Sequence, residues 1–217
     1  RVRYRGDSVE CPCCGGRFRR FMPRAGRADA ACPRCGSLER HRLLWVWLRG
    51  HGALGGAVRD VLHVAPEPGL RRALRGVPGV RWVGGDLSPE DPGVAALDLT
   101  ALPFADGSFD MVLCSHVLEH VADDGRAMTE VRRVLRPEGF AVLQQPVDDR
   151  LERTREDPGA PPAERLRLFG QEDHVRIYGR DFVERLRAAG FEVEVVRQRA
   201  GDDPLRSSDI YVCRSAR

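Results

Sequence analysis

Two five-residue segments of the chain repeat one pattern: Cys11-Pro12-Cys13-Cys14-Gly15 and Cys32-Pro33-Arg34-Cys35-Gly36 both read C-P-x-C-G. Two thiolates three residues apart can chelate one ion only if the chain reverses sharply between them. The proline fixes φ on the way in and the glycine tolerates positive φ on the way out. Aligning the repeats sets Cys13 against Arg34 in the variable slot, which leaves Cys11, Cys14, Cys32 and Cys35 as the predicted ligands and Cys13 as a bystander. Four thiolates close a tetrahedral zinc shell, so the metal is expected to be structural. A module of this size lacks a core of its own, and zinc binding worth on the order of 10–16 kcal/mol can supply its folding free energy. The remaining cysteines, Cys114 and Cys213, stand alone, and an odd total of 7 argues against a disulfide framework.

The 217 residues are 42% apolar and 31% charged, which excludes disordered, collagen-like and coiled-coil chains. The longest strongly apolar run, 43–48, is far below the roughly 18 residues a membrane-spanning helix needs, and the opening residues do not read as a signal peptide. The expectation is a cytoplasmic protein with no membrane partner. All 35 basic side chains are arginine, and lysine and asparagine are absent, a coding-type bias that makes arginine abundance uninformative about nucleic acid. Its distribution is uneven, because residues 1–50 carry 12 Arg against 4 acids, net +8, and the remainder is net −5. A Cys₄ zinc trims the head to +6. Such a head either docks on the acidic body, is simply solvated, or binds a polyanion.

Ser37 reads as the N-cap of a helix to about Gly50, with Glu39 in its first turn. Its stripe of Leu43, Leu44, Trp47 and Leu48 would pack the head onto the body, leaving Glu39, Arg40, His41 and Arg42 near the junction. Two domains are therefore expected, a zinc ribbon with connecting helix over 1–50 and a body over 51–217. Along the body, strands are predicted at 61–65, 81–86, 94–98, 109–114, 140–145, 191–197 and 210–213. Helices are predicted at 70–75, 123–135 (stopped by Pro137 and Gly139) and 181–189 (ended by Gly190). The alternation predicts a doubly wound, Rossmann-like α/β sheet, with ligands outside the carboxyl ends of its strands.

The segment Asp98-Leu99-Thr100-Ala101-Leu102-Pro103-Phe104-Ala105-Asp106-Gly107-Ser108-Phe109-Asp110, then His116-Val117-Leu118-Glu119-His120 and Val134-Leu135-Arg136-Pro137-Glu138-Gly139-Phe140, closely resembles the class I S-adenosylmethionine-dependent methyltransferases of the type 11 group. The resemblance covers about 58–214, and the cysteine-rich head with a His-x-Ala-Pro-Glu loop resembles one subgroup. It implies a seven-stranded sheet in the order 3-2-1-4-5-7-6 with the last strand antiparallel. It also implies S-adenosylmethionine as cofactor. By the same resemblance Asp86, followed by Leu87, would hold the ribose hydroxyls, Asp98 with the amide of Leu99 the adenine amine, and Ser115 and His116 would lie beside the sulfonium. The first loop departs from the family's acid-x-Gly-x-Gly-x-Gly. Here it reads His63-Val64-Ala65-Pro66-Glu67-Pro68-Gly69, and only Gly69 keeps its slot. A glutamate held in the left-handed region would cost about 1–2 kcal/mol, so the loop of Ala65, Pro66, Glu67 and Gly69 is expected to be rebuilt around its prolines. Glu67 would then serve the methionine ammonium in place of the acid missing at His63.

His116, Glu119 and His120 fall at i, i+3 and i+4, one helical face at the carboxyl edge of the sheet. In some ubiquinone-pathway O-methyltransferases the matching positions hold a divalent cation, so a second cation near Glu119 and His120 stands against the plainer reading that the pair caps and packs a helix start. The stretch 146–179 is too long for a bare loop and reads as a lid with a short helix at 163–169. Its run from Phe169 to Gly179 resembles a motif of the same subgroup. There His174 is a second base candidate beside His116, Arg176 a clamp for an anionic acceptor, and Tyr178 a stacking or hydroxyl contact. The predicted function is methyl transfer to an oxygen or nitrogen of a small-molecule acceptor. An RNA base methyltransferase using the basic ribbon is the first alternative, since certain ribosomal-RNA guanine methyltransferases carry an N-terminal zinc site. The head offers few aromatics beyond Tyr4, Phe18 and Phe21 for stacking bases, and the body is acidic. A catalytically inactive binding module is the second. Neither the acceptor nor the oligomeric state is encoded in these motifs.

Overall fold

A computed structural model describes residues 2–52, 54, 56–198 and 208–216. In the head, β1 (Val9–Cys11) and β2 (Gly16–Phe18) pair antiparallel around the first knuckle, and β3 (Met22–Arg24) and β4 (Arg27–Ala31) form a second hairpin that delivers the second knuckle. Gly15 and Gly36 leave their knuckles at φ 63° and 73°, the positive values the repeat required.

Helix α1 (Glu39–Gly50) follows, and its cap corrects the sequence reading: the N-cap is Leu38, not Ser37. Ser37 is buried, with its Oγ 3.2 Å from both Cys11 Sγ and Cys35 Sγ, so its hydroxyl faces the thiols. The cap is made from inside the helix, where His41 Nδ1 accepts the Leu38 N–H at 3.2 Å. Leu44, Trp45, Trp47 and Leu48 are buried and Leu43 only half so. At about 1.5–3 kcal/mol for each fully buried large side chain, this stripe is ample to hold the head down. It shares one apolar cluster with Val61, Leu70, Leu74, Met111 and Val212 of the body.

The body is built from β5 (Asp60–Val64), α2 (Pro68–Arg75), β6 (Arg81–Asp86), β7 (Ala95–Ala96), β8 (Phe109–Ser115), α3 (Asp124–Val134) and β9 (Leu135–Gln144). After these come β10 (Arg155–Glu156), α4 (Pro162–Phe169), β11 (Arg176–Ile177), α5 (Phe182–Ala188), β12 (Phe191–Val196) and β13 (Ile210–Ser215). The seven-stranded sheet runs β12-β13-β9-β8-β5-β6-β7, the expected order, with β13 antiparallel to both neighbours. Side chains alternate between two cores: Leu62, Val64, Val112 and Cys114 face one cluster, Val61, Met111 and Leu113 the other.

Two elements differ from expectation. The strand expected at 94–98 shrinks to two residues, because only Ala95 and Ala96 find partners on β6. Helix α3 ends at Val134 and β9 starts at once, rather than after Pro137 and Gly139. A residue before proline is pushed out of the helical region, so Arg136 must already be extended. The β8 register then jumps from Phe109–Leu135 to Met111–Phe140, bulging 136–139 outward.

The stretch 146–179 is folded rather than bare loop. β10 and β11 pair antiparallel around α4, and Val175 N–H bonds to Glu119 O at 2.9 Å. Among the described residues no helix is long and apolar enough to cross a membrane.

Candidate functional site

Two non-glycine residues in the left-handed region sit at the carboxyl ends of adjacent central strands. Ala65 (φ 46°) follows β5 and His116 (φ 55°) follows β8. Backbone strain of this kind costs on the order of 1–3 kcal/mol and collects where a site demands it. Between them opens a cavity of about 640 Å³ lined by Ala65, Asp86, Leu87, Asp98, Leu99, His116, His120 and Asp173. That volume lies within the usual range for small-molecule sites.

Asp86 ends β6 and accepts the Ser88 N–H at 2.9 Å through Oδ1, while Asp98 Oδ1 accepts both the N–H and the hydroxyl of Thr100 at 2.8 Å. The Thr100 bonds draw the Asp98 carboxyl below its usual value. Both acids therefore also serve as turn caps, and both border the cavity. Ser115 does not: it is buried at the end of β8, with Oγ 3.3 Å from Gln144 Oε1.

The loop 65–69 is rebuilt as its prolines suggested. Glu67 is extended (φ −66°, ψ 137°) and caps α2, and the left-handed turn has moved to Ala65. The Glu67 carboxylate is gripped from two sides. His63 Nε2 lies 3.2 Å from Oε2 and His41 Nε2, from α1, 3.1 Å from Oε1, the latter off the ideal hydrogen-bond line. Each ring's other nitrogen accepts a hydrogen bond: His41 Nδ1 from Leu38 N–H and His63 Nδ1 from Trp82 Nε1–H at 3.5 Å. Both imidazoles thus present Nε2–H to the acid. Burial pushes the Glu67 carboxyl up, but the two histidines outweigh it and hold it well below the usual range. Burial lowers His41, keeping it neutral. The partnership of His41 was not legible in the sequence, whose only trace of it was the replacement of a loop acid by His63.

Gly69 does not border this cavity. It lies buried in the first turn of α2, where a Cβ would stand 3.0 Å from Ser37 Cβ and 3.2 Å from Cys35 Sγ. The second cysteine knuckle presses directly on this turn.

On the far side of the cavity, Glu119, His120 and His174 bring one ligand atom each within 4.8 Å of one another. Glu119 is fully buried, and neither carboxylate oxygen has a hydrogen-bond partner, although His116 Nδ1 lies 3.3 Å from Oε1. Burial raises the Glu119 carboxyl, and His116 beside it brings the net shift below the usual value. His174, pushed down by burial, stands edge-on to His120 with ring centroids 4.7 Å apart and does not line the cavity.

Arg176 and Tyr178 are corrected. Arg176 is 1% exposed, and its guanidinium donates to the carbonyls of Leu118 (2.7 Å), Val121 and Ala122 (2.9 Å) and to Glu156 (3.0 Å), so four of its five N–H groups are engaged within the protein. Tyr178 is wholly buried, with its hydroxyl on Asp124 at 2.8 Å and its ring against Phe182. Arg176 rivets the 146–179 segment to the turn at 118–122, and Tyr178 rivets it to the start of α3.

The four knuckle cysteines converge. Cys11 and Cys35 Sγ are 3.7 Å apart, as are Cys14 and Cys32. A tetrahedral shell with Zn–S near 2.3 Å has edges of about 3.8 Å, so the donor set fits zinc. Cys13 points away, toward His41 O at 3.7 Å. Crowding and burial push the Cys35 thiol up to about 12, a cost a cation would remove.

Residues 72–143 match the methyltransferase domain family, type 11. A protein of Mycobacterium avium described as an uncharacterized methyltransferase is 40% identical over 114 residues, covering 47% of this chain and 45% of its own length. The chain thus spans less than half the length of such curated relatives. Among solved structures, the 1,6-didemethyltoxoflavin-N1-methyltransferase of Burkholderia thailandensis, solved with 1,6-didemethyltoxoflavin and S-adenosylhomocysteine, superposes with TM-score 0.60 at 19% identity, covering 82% of this chain and 79% of its own. The [4+2]-cyclase SpnF superposes with TM-score 0.57 at 20% identity, covering 82% and 81%. Likeness at this level is one of fold.

Proposed function

We propose that this chain, whose residues 72–143 match a methyltransferase domain, transfers a methyl group from S-adenosylmethionine to an oxygen or nitrogen of a small molecule bound in the cavity between Ala65 and His116. The carrying observation is the cavity itself. Two strand-end acids, Asp86 and Asp98, border it on one side, His116 borders it on the other, and the 146–179 segment contributes Asp173 to its lining.

S-adenosylmethionine, when bound, supplies an electrophilic methyl on a sulfonium. Asp86 would take the ribose hydroxyls, Asp98 and Leu99 the adenine edge, and the ionised Glu67 would favour the positive end. His116 would receive the proton the acceptor loses as its new bond to carbon forms, a contribution of roughly 10²–10⁴ in rate. Calorimetric titration with S-adenosylhomocysteine tests the reading. Binding by the wild-type chain and at least tenfold weaker binding by Asp86→Ala, about 1.4 kcal/mol, are expected. Equal affinity in a folded variant would sink the assignment.

A divalent cation held by Glu119, His120 and His174 is supported by the buried Glu119 carboxylate, which lacks hydrogen-bond partners on both oxygens. The neutral His174 is already in its ligand form. Mn²⁺ should bind at this second site, read by electron paramagnetic resonance, and Glu119→Gln should abolish it. Persistence of the signal in that variant would remove the cation.

A further inference from the structure

We propose that the cysteine-bearing head buttresses the cofactor loop from behind, with His41 the positioning residue that reaches from α1 across the junction to hold Glu67. This rests on the reading of residues 65–69 as the loop that receives S-adenosylmethionine. Three contacts carry it. His41 is 4% exposed and its Nε2 lies 3.1 Å from Glu67 Oε1, while His63 takes the other oxygen at 3.2 Å. The donor role of Nε2 follows from the bond at the opposite nitrogen, which accepts Leu38 N–H and so ties the ring to the residue that follows Gly36 and Ser37 of the second knuckle. Gly69, two residues beyond Glu67, is pressed against Cys35 and Ser37 closely enough that a Cβ would stand 3.0–3.3 Å from them. The loop is therefore clamped between β5 and the head at both its acid and its following helix turn. With one imidazole removed, the carboxylate would be free to swing, and the loop whose Ala65 borders the cavity would lose an anchor.

His41 has two jobs, and conservative variants separate them. Asparagine can present an acceptor near the Nδ1 position for Leu38 but cannot reach Glu67; glutamine can donate near the Nε2 position. By titration with S-adenosylhomocysteine, His41→Asn is expected to bind about tenfold more weakly and His41→Gln within about threefold of wild type, with thermal midpoints alike. His41→Asn in a Glu67→Gln background should add no further loss, because both act through one contact. A second arm needs no variant: S-adenosylhomocysteine should slow amide hydrogen exchange at 39–43 of the wild-type chain. Wild-type-like affinity in His41→Asn, full additivity with Glu67→Gln, or unchanged exchange at 39–43 overturns the proposal. Failure of the wild-type chain to bind S-adenosylhomocysteine overturns the cofactor reading, and the proposal with it.

Discussion

At residue 176 a single side chain substitutes for a set of loop hydrogen bonds. The Arg176 guanidinium reaches three carbonyls of the 118–122 turn and the Glu156 carboxylate while buried. Its planar fork suits this and an ammonium does not. Arg176→Lys should therefore destabilise the chain by about 3 kcal/mol in urea unfolding, the scale of breaking a buried ion pair. A loss below about 1 kcal/mol would mean that the carbonyls find other donors. The same scale explains two conformational costs. Ala65 and His116 occupy the left-handed region without being glycine, and both border the cavity, so strain is stored where ligands would be met.

Among the elements, the amino-terminal edge of the sheet is tied by charge. Asp60 of β5 bonds Arg81 of β6 and Arg136 of the bulge, and Asp110 of β8 accepts the N–H groups of Arg59 and Asp60 and pairs with Arg136. Arg81, then Arg136, draws the Asp60 carboxyl down. Asp110 is drawn down against its burial by the Asp60 N–H and Arg136. A carboxyl depressed on folding adds stability that is fully present above its unfolded value, about 3.9, and is lost as pH falls through the folded value. The wild-type urea midpoint should accordingly fall as pH drops below about 4. Asp60→Asn should start lower at neutral pH and fall less steeply over that range. Parallel curves for the two proteins would show that Asp60 is not part of the linkage.

For the whole molecule, the head and body share one apolar cluster, from Cys11 and Phe18 through Leu44 and Trp47 to Leu70 and Val212. One zinc per chain is expected by metal analysis, lost in Cys32→Ser and kept in Cys13→Ser. Chelation should lower the thermal midpoint of the entire chain in a single transition, since a zinc held by the four cysteines would supply the head's folding free energy and the head's cluster continues into the body. Two separate transitions would show the ribbon to be an independent domain, as the division at residue 50 supposed.

The grouping of four head cysteines and most strands of the body were already legible in the sequence from local rules, whereas the strand order came from the resemblance to a known family. A C-P-x-C-G turn needs only its own five residues, and alternating apolar runs report which side of a strand is buried. The places of Asp86, Asp98 and His116 were carried over from the family resemblance, onto short segments at strand ends. Tertiary structure decided the rest. Arg176 and Tyr178 looked like ligand-binding residues in a polar run, yet carbonyls and Asp124 from more than fifty residues away occupy them. Gly69 kept a family slot, but its lack of a Cβ answers to Cys35 and Ser37. His41 met Glu67 only when α1 packed beside α2. Hydrogen-bonding capacity is written in a residue's type, whereas which partner uses it depends on what the fold brings within about 3 Å.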